Sequence, residues 1–424
     1  MTTKSNNRFL PLFLLLALLL LPHPLLGADD AMRSCAREGM TRFASSRAIA
    51  PSRSAVLITD LADGAEITSL NPDLPLVPAS IMKTVTIASL LSQTGPDWKY
   101  RTHVKHDGRI KDGILEGNLI VEASGDPSIS SSCEPVGSDF ASEVVTALRE
   151  KGVRHIVGRV IIDETRFPGP SCPSTWASGD LPHSYGTGSH GLNYRNNASG
   201  KKAVTDPSGW FRRDLGARLA DAGIDVEGLS MPHTGRHTLF THESAPVEEI
   251  MRSCMMRSDN LFAESMLRTL GSLKGEEGST LAGTAFEREL WKKRKAPLDG
   301  VELVDGSGLS RSNRVTARFM ESVLRHEKDN VEYASFMPLA GQEGTLKKFL
   351  ASTPLDSYVA MKTGSMNGIQ CYAGYKLDEE FAPTHAIVVI LNALPAGRPA
   401  ARAAVEQLLL DIFAPQEEPE AAPQ

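Results

Sequence analysis

Aromatic residues are scarce in this chain, 6% of 424 positions, and there are five cysteines. So few cysteines in so long a chain exclude a disulfide-stapled miniature scaffold, and an odd number leaves at least one thiol unpaired if all bonds are internal. Basic residues are not in excess: Lys and Arg number 45 against 51 Asp and Glu, a formal charge of −6. That balance argues against a general nucleic-acid binder. No His-Glu-x-x-His occurs, so the zinc-peptidase pattern is missing; His233 and His237, four apart, read as polar loop residues. There are no internal repeats. The leucine-rich run from Leu10 to Leu26 is broken by Pro11, Pro22 and Pro24, and its uninterrupted part, Leu12 to Leu21, is short for a spanning helix.

What is present begins with that run. With Lys4 and Arg8 ahead of it and Gly27-Ala28 behind it, residues 1–28 read as an export signal, which implies a periplasmic protein. Export permits disulfides. Cys133 and Cys172 share the central region, each close to a proline, and are expected to pair; Cys35, Cys254 and Cys371 are expected to behave as small buried apolar residues. The overall 41% apolar and 23% charged content is that of an ordinary globular protein.

Along the chain, residues 29–46 carry a helical pattern. Strands Ala55–Thr59 and Glu66–Leu70 flank Asp63-Gly64 and predict a hairpin. From residue 98 to 244 the composition shifts to short strands and Gly-containing turns, with a helix near 141–151, an irregular stretch 167–197 and a helix from Trp210. Helices return from Pro246, followed by strands at 358–361, 370–377 and 385–391 and a closing helix over 400–413. Residues 415–424 are acidic and proline-rich and read as a disordered tail. The expected architecture is α/β of the α+β kind: a discontinuous domain of residues 29–97 and 245–414, whose sheet draws on both ends of the chain, with residues 98–244 folded separately as an insertion.

The chemistry centres on Pro78-Ala79-Ser80-Ile81-Met82-Lys83. On a helix, Ser80 and Lys83 share a face, so a nucleophile would sit beside a base. Near the first turn, unpaired backbone N–H groups favour developing negative charge. Alone, Ser-x-x-Lys arises often by chance. Downstream, however, stand Ser258-Asp259-Asn260, in the middle of a predicted helix, and then Lys362-Thr363-Gly364-Ser365. Ser-x-x-Lys, Ser-x-Asn and Lys-Thr-Gly in this order form the signature of penicillin-binding proteins and serine β-lactamases.

Together with Ser124-Gly125-Asp126-Pro127-Ser128, Ile156-Val157-Gly158, Asp305 to Arg311 and Ala340 to Thr345, these motifs resemble the D-alanyl-D-alanine carboxypeptidase/endopeptidase family of low-molecular-weight class C penicillin-binding proteins, peptidase family S13. The resemblance implies a serine β-lactamase/penicillin-binding transpeptidase-like domain with an inserted β-rich domain. It implies Ser80 as nucleophile and Lys83 as base, Ser258 as proton relay, and Asn260 as holder of Lys83 and of substrate. Lys362 and Thr363 would bind the terminal carboxylate, Gly364 would let the substrate backbone pass, and the backbone N–H groups of Ser80 and Ser365 would form the oxyanion hole. It implies peptidoglycan stem peptides as substrate and β-lactams as inhibitors, with no metal and no cofactor; oligomeric state and peripheral membrane association stay open. Two departures stand out. Ile81 follows the nucleophile where the family often has a polar residue, and Tyr185 to His190 match the family's Tyr-Gly-Ala segment only loosely. The segment Asn196 to Gly209 is expected to be a loop, too short for a third module, since units below about 40 residues rarely fold alone. The alternatives are a serine β-lactamase, although the Glu-x-x-Leu-Asn pattern of class A enzymes is missing, and a non-catalytic peptidoglycan-binding or sensing protein.

Overall fold

The computed structural model describes residues 28–232, 235–273, 275 and 277–414. The export signal, apart from Ala28, lies outside them, as do the tail 415–424 and His233.

The expected sheet forms from both ends of the chain. Five antiparallel strands run in the order Val359–Met366, Ile369–Leu377, Pro383–Asn392, Ser54–Asp60, Glu66–Leu70. Its central strands read as unbroken apolar runs because both faces are covered. Ala55, Leu57, Ala386, Val388 and Ile390 face one cluster, with Val85, Ile87 and Leu91 of the helix Met82–Thr94. The alternate residues Val56, Ile58, Ile387, Val389 and Leu391 face the other, against helices Ala28–Ser45 and Gly397–Phe413. The last of these helices buries Val405, Leu408, Leu409 and Ile412. Each such side chain contributes about 1.5–3 kcal/mol over exposure, so Leu409→Ala would loosen the closing helix by roughly 2–5 kcal/mol.

A third cluster lies within the central segment. Strands His237–Glu243, Arg101–His106, Leu119–Glu122 and Val160–Asp163 make one sheet, and four short strands make a second. Helices Phe140–Glu150 and Pro207–Asp221 cover them, with the Phe140 and Phe211 rings stacked at 5.3 Å between centroids. Tyr100, Cys133 and Val136 turn away from this cluster and join the core of the five-stranded body.

Three expectations need correction here. Cys133 and Cys172 are both free thiols, as are Cys35, Cys254 and Cys371. Cys133 is buried in the body's core with Asn196 Nδ2 donating to its sulfur at 3.5 Å, whereas Cys172 is half-buried beside Ser171 in the wall of a cavity with Pro168 and Thr284. Each thiol has its own surroundings, and a bond requires their Cβ atoms within about 4.5 Å. The segment Asn196 to Gly209 is more ordered than a loop: Ala198–Ser199 pairs with Lys202–Ala203, and the next helix starts at Pro207 because Asp206 caps it, accepting from Gly209 N at 2.7 Å. No separate module stands there. Finally, Ser258 to Asn260 do not lie inside one helix. Helix Val247–Arg257 ends at Ser258, which is left-handed at φ +58°, and Asp259 caps a new helix, Asn260–Ser272.

Candidate active site

Ser80 sits in a 3-10 turn, Ala79–Ile81, one turn ahead of the α-helix Met82–Thr94. The turn is strained. Ala79 holds φ +47°, which for a residue with a Cβ costs roughly 1–3 kcal/mol. Two glycines let backbone close on this turn. A Cβ on Gly308 would lie 1.9 Å from Ala79 O, and one on Gly364 would lie 2.7 Å from Pro78 O and 3.0 Å from Ser80 N. Gly364 therefore makes room for the nucleophile's own backbone, which differs from the expectation that it clears a path for substrate. Ile81, which stands where the family often has a polar residue, is fully buried in the core.

Lys83 is fully buried, and three oxygens surround its Nζ: Ser80 Oγ at 3.1 Å, Asn260 Oδ1 at 2.6 Å and the Ser307 carbonyl at 2.8 Å. A neutral lysine amine has two N–H groups and one lone pair. Asn260 and Ser307 can only accept, so they take the two N–H groups, and the lone pair is left to Ser80. Burial holds Lys83 below the ordinary lysine range, against the pull of Cys254, Asp305, Asp259 and Glu264. Lys362 is also fully buried and donates to Thr363 O at 2.7 Å. Burial, and after it the charge of Lys83, drives Lys362 well below its usual value. Burial thus disfavours the charged form of both lysines, and their closeness works in the same direction. Cys254 does not neutralise them, since burial pushes its thiol up to about 12.

A cleft of about 570 Å³ opens over this group. Ser80, Ser258, Thr363 and Ser365 line it, with Thr345 and Gln370. Thr363 Oγ1 donates to Thr345 Oγ1 at 2.8 Å, and Ser365 Oγ donates to Gln370 Oε1 at 2.9 Å. Lys362 does not wall the cleft. It lies beneath a lining in which Thr345, Thr363, Arg398 and Arg402 offer groups to an anion. The strand Val359–Met366 is the edge of its sheet, so alternate N–H groups along it face away from its one strand partner.

Several residues that complete the site carried no motif. Asn260 Nδ2 donates to the Tyr185 carbonyl at 2.8 Å, so the irregular stretch 167–197 reaches the site with backbone, which no side-chain pattern could signal. Asp305 organises the loop that supplies Ser307 O. Its carboxylate accepts from Gly308 N (2.8 Å), Ser310 N (2.6 Å), Asn313 Nδ2 (2.7 Å) and Trp176 Nε1 (2.8 Å). Asp305 to Arg311 is one of the stretches that carry the resemblance, but its link to Trp176, 129 positions earlier, leaves no signal in the sequence.

The arrangement can deprotonate a serine hydroxyl, hold a developing oxyanion against backbone N–H groups and receive a carboxylate on hydroxyls and guanidinium groups. The sequence profile of the D-Ala-D-Ala carboxypeptidase 3 (S13) family matches residues 40–202 and 191–410. A protein named Carboxypeptidase DacB from Mycolicibacterium smegmatis is 28% identical over 370 residues, spanning 81% of this chain and 77% of the relative. A D-alanyl-D-alanine carboxypeptidase from Actinomadura sp. is 25% identical over 455 residues, spanning 84% of this chain and 82% of its own. Among solved structures, penicillin binding protein 4 (dacB) from Haemophilus influenzae shares the fold with a TM-score of 0.73 at 21% identity, over 85% of this chain and 94% of that one. With its profile match running through both the nucleophile turn and the Lys-Thr-Gly strand, this chain belongs to the D-Ala-D-Ala carboxypeptidase 3 (S13) family.

Proposed function

We propose that this protein is an exported serine D-Ala-D-Ala carboxypeptidase and endopeptidase that trims or cleaves peptidoglycan stem peptides and is acylated by penicillin at Ser80. One observation carries the reading: Lys83 Nζ lies 3.1 Å from Ser80 Oγ, with Asn260 Oδ1 and the Ser307 carbonyl placed to accept its N–H groups, beneath a cleft that Ser80 lines. Membership of the family and relatives named as carboxypeptidases support the same activity.

In the proposed reaction Lys83 Nζ takes the proton of Ser80, and Oγ bonds to the carbonyl carbon of the D-Ala-D-Ala peptide. The oxyanion is met by the N–H groups of Ser80 and Ser365, brought together by the contact between Gly364 and the nucleophile turn. As the C–N bond breaks, the proton returns from Lys83 to the leaving amine by way of Ser258. Water then hydrolyses the ester, releasing the shortened peptide and restoring Ser80. Lys362 acts from below, where burial disfavours a second charge beside Lys83. Thr363 and Thr345, with Arg398 behind them, receive the substrate carboxylate.

We read residues 29–97 and 245–414 as the peptidase body and 98–244 as an insertion that folds around its own apolar cluster, which the separation of the three clusters supports. We read the segment 196–209, with its short hairpin at 198–203, as too small to cover the cleft, which favours bulky cross-linked peptides alongside free pentapeptide. Among the described residues no helix is long and apolar enough to cross a membrane. The test is to incubate purified protein with a pentapeptide and with cross-linked muropeptide dimers. Release of D-Ala from the first and of monomers from the second, both blocked by penicillin, is expected. Intact pentapeptide would refute the carboxypeptidase, and intact dimers the endopeptidase.

A further inference from the structure

Four residues after Asn260, on the same helix, stands a carboxyl that no motif names. Glu264 is 1% exposed. Its Oε1 accepts from the backbone N–H of Gly306 at 3.1 Å and of Ser307 at 2.8 Å. Its Oε2 is buried with no hydrogen-bond partner among the described residues. Ser307 then turns its carbonyl onto Lys83 Nζ. Residues four apart on a helix share a face, so one helix fixes both acceptors that aim Lys83 at Ser80: Asn260 directly, and Ser307 through Glu264.

We propose that Glu264 is a positioning residue for the reaction of Ser80, a neutral acid whose Oε1 pins the Gly306–Ser307 backbone so that the Ser307 carbonyl meets Lys83. The inference rests on the reading of Ser80 and Lys83 given above. A carboxylate here would carry a buried oxygen without a donor, an arrangement that burial disfavours strongly. Burial first, and the nearby Asp305 after it, push the Glu264 carboxyl up to about 8. The groups that act on it are Lys83 and Asp305, with Glu287, Arg268 one turn further along its own helix, and the Cys172 thiol around them. As a neutral acid, Glu264 anchors the loop without lending Lys83 a negative partner. A carboxylate in its place would stabilise protonated Lys83 and take away the base.

The experiment compares the wild-type protein with Glu264→Gln and Glu264→Ala. Glutamine keeps an acceptor at Oε1 and stays neutral at every pH. Two readouts are taken: the rate of acylation by penicillin between pH 6 and about 9, and the titration of Lys83 by NMR of 13Cε-labelled lysine, its signal being the one missing from Lys83→Ala. Glu264→Ala should lose about 10²-fold in acylation rate, the scale of a misplaced catalytic group, and Glu264→Gln should restore it to within about twofold. In Glu264→Gln, Lys83 should titrate where it does in the wild-type protein, because one neutral acceptor replaces another, whereas in Glu264→Ala its midpoint should fall, because the Ser307 carbonyl is no longer held against the charged amine. A carboxyl that serves stability alone would leave the Lys83 midpoint unmoved in Glu264→Ala. If Glu264→Ala fails to fold, Glu264→Gln alone decides. Loss of acylation in Glu264→Gln, or a Lys83 midpoint that falls in it, overturns the proposal, as does an unmoved midpoint in a folded Glu264→Ala. A wild-type protein that penicillin does not acylate, but whose Lys83 midpoint falls in Glu264→Ala and holds in Glu264→Gln, would count against the functional reading and leave the positioning role standing.

Discussion

The five-stranded body and the central lobe place much of their charge differently. In the lobe, charges cluster at the sheet surface in ion pairs: Lys105 with Glu122 at 2.6 Å, and Arg236 with Glu122 at 2.7 Å and Asp163 at 3.1 Å. Such pairs, partly in water, contribute about 0–1 kcal/mol each. In the body, Lys83, Lys362, Glu264, Glu287 and Asp305 are all essentially inaccessible. Burying them works against stability unless each is neutral or fully hydrogen-bonded. The body answers with burial that pushes Lys362 and Glu264 toward their neutral forms and with four donors on Asp305. The lobe also buries Asp107 and Asp126, but against donors from Asn118 and Ser128; the difference teaches that beneath the cleft burial serves to favour the neutral form of a lysine, which serine chemistry needs.

Four substitutions and treatments would break or sharpen that contrast. The largest effect is expected for Lys83→Ala, which removes the base: acylation by penicillin, followed by stopped-flow mass spectrometry, should fall by at least about 10⁴-fold. A near-normal rate would mean that buried charge in the body serves structure alone. Next comes Gly364→Ala. The added methyl meets Pro78 O at 2.7 Å and must push the edge strand off the nucleophile turn, and a loss of about 10²-fold in acylation is expected. An unchanged rate would show that the strand and the turn need no close approach.

Glu287 sharpens the contrast through pH. Burial raises its carboxyl from the usual 4.5 to about 8. The folded state therefore binds a proton that the unfolded state has lost between those values, so this contribution to stability is full below about pH 4.5 and disappears as pH rises through about 8. Glu287→Gln should remove a pH-dependent loss on the order of a few kcal/mol, read as a flatter urea-midpoint profile between pH 5 and about 8. Identical profiles would contradict a protonated Glu287. The smallest effect concerns the thiols. Because all five cysteines are free, a reductant should leave the melting temperature unchanged, and five thiols should react with a labelling reagent in denaturant. Only three reacting thiols would restore the bond between Cys133 and Cys172.

Much of this was legible in the sequence where a short-range rule applied. The Ser-x-x-Lys spacing puts Lys83 beside Ser80, and the apolar runs at 55–59 and 385–391 foretell strands. What could not be read depends on contacts distant in sequence. Glu264 looks like any helix glutamate until the loop at 306–307 folds onto it. Trp176 and Tyr185 belong to a stretch without periodicity, and only the tertiary fold brings an indole to Asp305 and a carbonyl to Asn260. The break at Ser258 was hidden because Arg257 and Leu261 continue a helical pattern on either side of it, while Asp259 begins a second helix by capping it. The two cysteines misled because shared location in sequence is not shared location in space.

The central claim is that Ser80, set against the lone pair of Lys83, is the nucleophile. Brief exposure of the intact protein to penicillin, followed by proteolysis and mass spectrometry, tests it directly. The account predicts one adduct per chain, on the peptide that contains Ser80, and none in Ser80→Ala. An adduct elsewhere, or a folded wild-type protein whose Ser80 peptide stays unmodified, would contradict it.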